Sequence, residues 1–172
     1  MDNHKIAKDW YQKAINNTDV FEKFICLWIS FNAIYGKYSA YSEFKNDKKM
    51  PKEKAQIKNC ILHIPLNSGN RYQSLLESQE FLYFSNNVIH DCRPGSNSNT
   101  QKNMSIMKSN SVKLSIKIVN LFFCIYQARC NLFHGDKTPY EYHDTEIITN
   151  ASNILEMFLK IYFEEKENVT TD

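Results

Sequence analysis

Arg129 and His134, separated by Cys130, Asn131, Leu132 and Phe133, bring a permanent cation and a titratable imidazole into one short segment. These are the two groups needed to hold a phosphodiester and move a proton beside it. A guanidinium grips two phosphate oxygens at once and stabilises charge building on them. An imidazole serves as general acid or base near neutrality. Within the same segment Asn131 has the chemistry to orient the imidazole or bond the phosphate, and Lys137 to touch a nucleic-acid backbone just outside. For Lys137 a solvated surface role competes with that one.

Arg129 also stands on an apolar stripe. Val119, Phe122, Tyr126, Arg129 and Phe133 follow the three-and-four spacing of one helical face. A charge placed there needs a partner, or must lay its stem on the apolar surface while its head reaches water or a structural carboxylate. Five residues turn an ideal helix through about 500°, so the two side chains would leave a regular helix roughly 140° apart. They can share a site if the helix ends near His134, which Gly135 favours.

Other chemistries find less support. Cys130 and His134 lie four apart on one helical face, as a nucleophile and base would, yet no third orienting group is apparent and a cysteine in an apolar helix is usually a small hydrophobe. His90, Asp91 and Cys92 place a histidine near a thiol without the second pair of ligands a metal site needs. No metal and no cofactor is expected. No glycine-rich loop exists to cradle a nucleoside triphosphate. Asn32, on an earlier helix with Trp28, is a candidate substrate-binding residue or a polar bond between helices.

The elements that must position these residues read as helices throughout. Only four glycines and four prolines occur, and no alternating strand pattern with a tight hairpin signal appears. A short helix is expected over about 4–16. A second follows Thr18 or Asp19, with Glu22 in capping-box register and Phe21, Phe24, Trp28, Phe31 and Tyr35 as its main stripe. The polar, Lys-rich stretch from Ser39 to Pro51 reads as a loop with a short helical turn, and Pro51 opens a helix that ends near Pro65. Between Asn67 and Asn103 the pattern gives short helices around Leu75, Leu76, Phe81, Leu82 and Phe84, then an exposed, mobile loop from Arg93 to Thr100. A serine or asparagine at 109–111 is expected to cap the longest helix, with Leu114, Ile118, Leu121, Ile125 and Leu132 facing the core. A last helix, capped by Asp144 or Thr145, turns Ile147, Ile148, Ala151, Ile154, Leu155, Phe158 and Tyr162 inward. The expectation is an all-α bundle of four to six helices in a single domain over 1–163, with a frayed, charged tail over 164–172.

The 172 residues are enough for one domain with a real core. Twenty-one basic against nineteen acidic residues leave a formal charge of +2, so nucleic-acid binding must come from a local site. Five cysteines with no CxxC pair argue against a disulfide framework and a zinc ribbon, and fit reduced thiols in a cytoplasm. No apolar run approaches the roughly 20 residues of a spanning helix, and none follows the N-terminal residues as a signal would, so no membrane partner is expected.

The segment around Arg129 resembles the signature of the HEPN superfamily, small helical domains marked by an Arg, four to six intervening residues and a His; here the gap is four. Tyr126 upstream and His134-Gly135 at the close resemble one bacterial branch of it, as does Leu27-Trp28-Ile29-Ser30-Phe31-Asn32-Ala33-Ile34-Tyr35-Gly36. One departure stands out: Cys130 follows the Arg directly where many catalytic members place a polar residue such as Asn, and Asn131 comes one position later. Arg129 and His134 are therefore the matched pair. The resemblance implies a homodimer with both motifs facing one composite cleft, and metal-independent cleavage of RNA by attack of the ribose 2′-hydroxyl on the adjacent phosphorus. It further implies a toxin or antiphage effector, with an antitoxin or defence-system partner. The alternative is a catalytically silent HEPN module that binds RNA, a nucleotide or a protein, and a third reading is an unrelated helical adaptor.

Overall fold

In the computed structural model of the chain, residues 2–38, 52–64, 69–134 and 141–169 are described. Among them are eight α-helices and no β-strand: α1 (Asn3–Ile15), α2 (Val20–Tyr35), α3 (Lys52–His63), α4 (Gln73–Leu76, entered from a 3-10 turn over Gly69–Tyr72), α5 (Gln79–Asn86), α6 (Gln101–Lys108), α7 (Leu114–Phe133) and α8 (Tyr142–Val169). The all-helical expectation holds, with more helices than the four to six foreseen. No helix of the described residues is long and apolar enough to cross a membrane.

Aromatic side chains from three helices build the core. Phe31 of α2 packs its ring against Phe122 of α7 at 4.7 Å between centroids and against Phe158 of α8 at 5.7 Å. Phe158 also meets Phe122 at 4.7 Å and Tyr72 at 5.5 Å. All four rings are buried, so α2, α7 and α8 are joined through one dry cluster. Buried polar groups fix the register around it. Ser30 Oγ donates to Ala7 O at 2.6 Å, joining α1 to α2. Asn103 donates to Asn120 Oδ1 at 3.0 Å, joining α6 to α7.

Helix α2 starts where its sequence says. Asp19 Oδ1 accepts the backbone N–H groups of Phe21 and Glu22, both at 2.9 Å. Glu22 does not reach back to complete a capping box, because Asn17 takes both sides: its Oδ1 accepts the Asp19 N–H and its amide donates to Glu22. At the other end, a Cβ on Gly36 would lie 2.9 Å from Asn32 O, so glycine is needed there for space.

Four expectations are corrected. Helix α6 was not foreseen: only Met107 is buried along it, and the hydroxyl of Thr100, which would announce its start, bonds Ile89 N instead. Helix α7 begins at Leu114 after Lys113, with no side-chain cap, and the Ser109 and Ser111 hydroxyls bond each other at 3.0 Å. The longest helix is α8, with 28 residues against 20 for α7. It runs through the expected tail to Val169, with Glu164 paired to Arg71 at 3.3 Å and Glu165 accepting from Tyr72 at 3.2 Å. The loop over Ser39–Pro51 and the prolines expected to bound α3 lie outside the described residues, as do Gly135 and Lys137.

Candidate active site

Helix α7 ends at Phe133, and His134 is its C-cap with φ −87° and ψ 3°. The helix thus ends where Gly135 led the sequence reading to expect, and His134, five residues after Arg129, stands at that end. Its backbone N–H still closes on Cys130 O at 3.0 Å, which holds the cap in place. The side chain is exposed. Among the described residues no hydrogen bond to the imidazole is present.

Arg129 lies one turn earlier in a slot made by three helices. Its guanidinium sits over the Trp28 ring of α2 at 5.8 Å and over the Phe133 ring at 4.9 Å. Nη1 stands 3.6 Å from Glu53 Oε2 of α3, and each side chain is 27 % exposed. The charge on the apolar stripe thus has its counter-ion, a residue the sequence did not single out. Glu53 in turn accepts a hydrogen bond from Tyr35 of α2 at 2.5 Å. Burial, then this bond to the carboxylate, push the Tyr35 phenol well above its ordinary range, so it stays a donor. Among the described residues two buried N–H groups at the slot, Arg129 Nε and Trp28 Nε1, have no hydrogen-bond partner.

Beside Glu53, Lys54 points onto α7 with its ammonium 5.3 Å from the Tyr126 ring centre and 5.5 Å from that of Phe123. Burial lowers its pKa from the ordinary lysine value. Tyr126 is raised, first by burial and then by its neighbour Cys130.

Asn131 is the best-connected residue of the motif, and it faces inward. It is 1 % exposed. Its Nδ2 donates to His90 O at 2.7 Å, and its Oδ1 accepts from Cys92 N at 3.3 Å and from Gln127 Nε2 at 2.9 Å. Its amide holds the 87–100 connection on α7. Asn32 is exposed on the helix turn between Trp28 and Tyr35, at the rim of the slot and not in a buried bond between helices.

The 87–100 connection is exposed along most of Arg93–Asn99, as expected, and is built on hydrogen-bonded turns. His90 and Asn99 form an isolated antiparallel bridge. Ser96 N bonds Arg93 O at 3.0 Å, and Gly95 has φ +76°, the left-handed value a turn of type II requires after Pro94. The Asp91 carboxylate, 1 % exposed as a side chain, fills the turn. It accepts from the Arg93 guanidinium and backbone and from Ser96 Oγ, and the Arg93 bonds first of all hold its pKa well below the usual carboxylate range. His90, Asp91 and Cys92 are thereby accounted for as turn chemistry. Among the described residues no group of three or more His, Cys, Asp or Glu gathers as metal ligands.

Comparison with known proteins adds no relative: no family model, curated protein or solved structure matches the chain.

Proposed function

We propose that the chain is a metal-independent endoribonuclease of HEPN type, acting in the cytoplasm as a homodimer whose two Arg129–His134 segments share one cleft. The observation that supports this reading is that the last five residues of α7 and its C-cap carry both an exposed imidazole and a half-buried guanidinium held by Trp28, Phe133 and Glu53. Arg129 is preorganised and still partly open to solvent, the state needed to receive a phosphate without reorganising at the moment of reaction. In the proposed step the 2′-oxygen forms a bond to phosphorus while the bond to the 5′-oxygen breaks. One imidazole of the dimer takes the 2′ proton, and the other supplies a proton to the leaving oxygen.

The dimer has a physical motive in Phe133, which is 53 % exposed next to the candidate base although it continues an apolar stripe. A toxin or defence role, with a protein that restrains it, is the biological setting the resemblance implies.

A second reading has its own observation. The Arg129–Glu53 pair would serve equally in a silent HEPN module that keeps the arginine for packing and binds RNA, a nucleotide or a protein. Product chemistry separates the two. Cleavage should persist in EDTA, leave a 2′,3′-cyclic phosphate and a 5′-hydroxyl, and stop on substrates with 2′-deoxyribose at the cut. Cutting of DNA, or activity lost with chelation, removes the mechanism; absence of any cleavage by a folded dimer favours the silent module.

A further inference from the structure

Lys54 is a cation that the reaction above leaves without a task. It emerges from α3 directly after Glu53, and its stem crosses onto α7. An ammonium carries three N–H donors and is strongly hydrated, so a half-buried one ordinarily finds a carboxylate. Among the described residues Lys54 has none. It rests on the faces of Phe123 and Tyr126, at 5.5 and 5.3 Å. Ring faces attract a cation but accept no directed hydrogen bonds of the strength water or an anion provides. The charged groups whose field reaches it are the enclosed Asp91 carboxylate and the Arg93 guanidinium. Asp91 is already spent on Arg93 and Ser96.

Position matters as much as lack of a partner. Tyr126 precedes Arg129 by three residues, so the ring beneath Lys54 and the root of Arg129 lie on one stripe of α7 less than a turn apart, about 4.5 Å along the axis. Arg93 flanks the same stretch, because the N–H of the preceding Cys92 is held by Asn131 of α7 at 3.3 Å. Its Nε and Nη2 are held by Asp91, and Nη1 has no partner among the described residues. Lys54, Arg93 and Arg129 thus come from three separate segments to line the C-terminal half of one helix, with His134 at its end. Asp91 and Glu53 neutralise Arg93 and Arg129, which leaves Lys54, among the described residues, as the uncompensated charge of the group, on a chain with a formal charge of only +2.

We infer that Lys54, flanked by Arg93, binds the phosphate next to the scissile one in a single-stranded RNA laid along α7 toward His134. The inference rests on the nuclease reading and gives that site a substrate track. A bound phosphate supplies the acceptors Lys54 lacks, and it adds to ground-state and transition-state binding equally, so Lys54 sets affinity rather than the chemical step.

The test uses the full-length chain carrying His134→Ala, which keeps the RNA intact, and a fluorescein-labelled single-stranded RNA titrated over a range of salt. With Lys54 present, binding should weaken linearly on a double-logarithmic plot. Lys54→Met keeps the stem on the two rings and deletes the charge. It should weaken binding about tenfold, the lower end of a charge-assisted contact, and shorten the salt slope by about 0.7, one phosphate's share on a single strand. Lys54→Arg should restore the slope, and Lys5→Gln, an exposed lysine of α1, should leave it unchanged. In the His134-containing enzyme Lys54→Met should raise KM with kcat unaltered. Binding by the His134→Ala chain with a slope indifferent to Lys54 overturns this inference and leaves the nuclease reading standing. No binding of RNA by the Lys54-containing chain overturns both.

Discussion

Arg129 Nη1 and Glu53 Oε2 stand 3.6 Å apart, with both side chains a little over a quarter exposed. At that distance and exposure the pair contributes about 0–1 kcal/mol, too little to explain why a charge occupies the apolar stripe of α7. It is, however, strong enough to orient a guanidinium and weak enough to yield to a phosphate. That balance decides what its removal should do.

Arg129→Ala should leave a folded protein and lower the cleavage rate by roughly 10²–10³, the usual cost of losing a preorganised donor to developing charge. His134→Ala should cost about 10²–10⁴ through lost proton transfer. Arg129→Lys keeps the charge without the planar fork and should stay badly impaired. Single-turnover rates set beside melting temperatures check this. Rates close to the parent's in both alanine variants would remove the catalytic assignment.

Asn131→Ala should act on stability first. It strands the Cys92 N–H, the His90 carbonyl and the Gln127 amide, with each group left unsatisfied in the interior costing about 1–3 kcal/mol. A fall in melting temperature, with faster amide exchange at Cys92, is the expected result. A variant that melts like the parent but cleaves slowly would return Asn131 to the substrate.

Phe133→Ser should convert a dimer to a monomer, because an aromatic ring 53 % exposed at the end of α7 is the apolar group nearest the proposed cleft. Light scattering at micromolar concentration reads the change. A parent chain that is monomeric, or a dimer indifferent to Phe133, would place the interface elsewhere.

The turn around Asp91 should loosen in acid. Its carboxylate pKa is depressed in the folded chain, chiefly by its bonds to Arg93, so the unfolded state takes up the proton first. The stabilisation is complete above the unfolded value of about 3.9 and is lost as pH falls through it toward the folded pKa. Amide exchange at Ser96 and Ser98 should therefore show extra opening at low pH that Asp91→Asn shows already at neutrality.

Periodicity made the core legible: Ile147, Ile148, Ala151, Ile154, Leu155, Phe158 and Tyr162 all turn inward on α8, and Asp19 caps α2 as its position predicts. Glu53 and Lys54 were not legible. Nothing in a lysine-rich stretch says which side chain will meet an arginine 76 positions later, because that depends on how α3 lies across α7. Asn131 shows a related limit. An asparagine between an arginine and a histidine looks like part of the chemistry until its bonds to a distant turn are seen. Helix α6 escaped because its periodic signal rests on Met104 and Met107, and because Thr100 spends its hydroxyl on Ile89.

The way α8 closes over α2 sets a schedule for synthesis. Lys23 meets Glu156 at 2.6 Å, Ser152 Oγ donates to Val20 O at 3.5 Å, and Phe31 has Phe158 as a wall. Trp28 and Tyr35, which steady Arg129 and Glu53, belong to the same α2. A ribosome that has passed His134 has made the proposed Arg129–His134 pair and the residues that hold Arg129, and lacks the helix that completes the core beneath them. A chain that cuts RNA would therefore remain harmless to its own message until α8 has emerged.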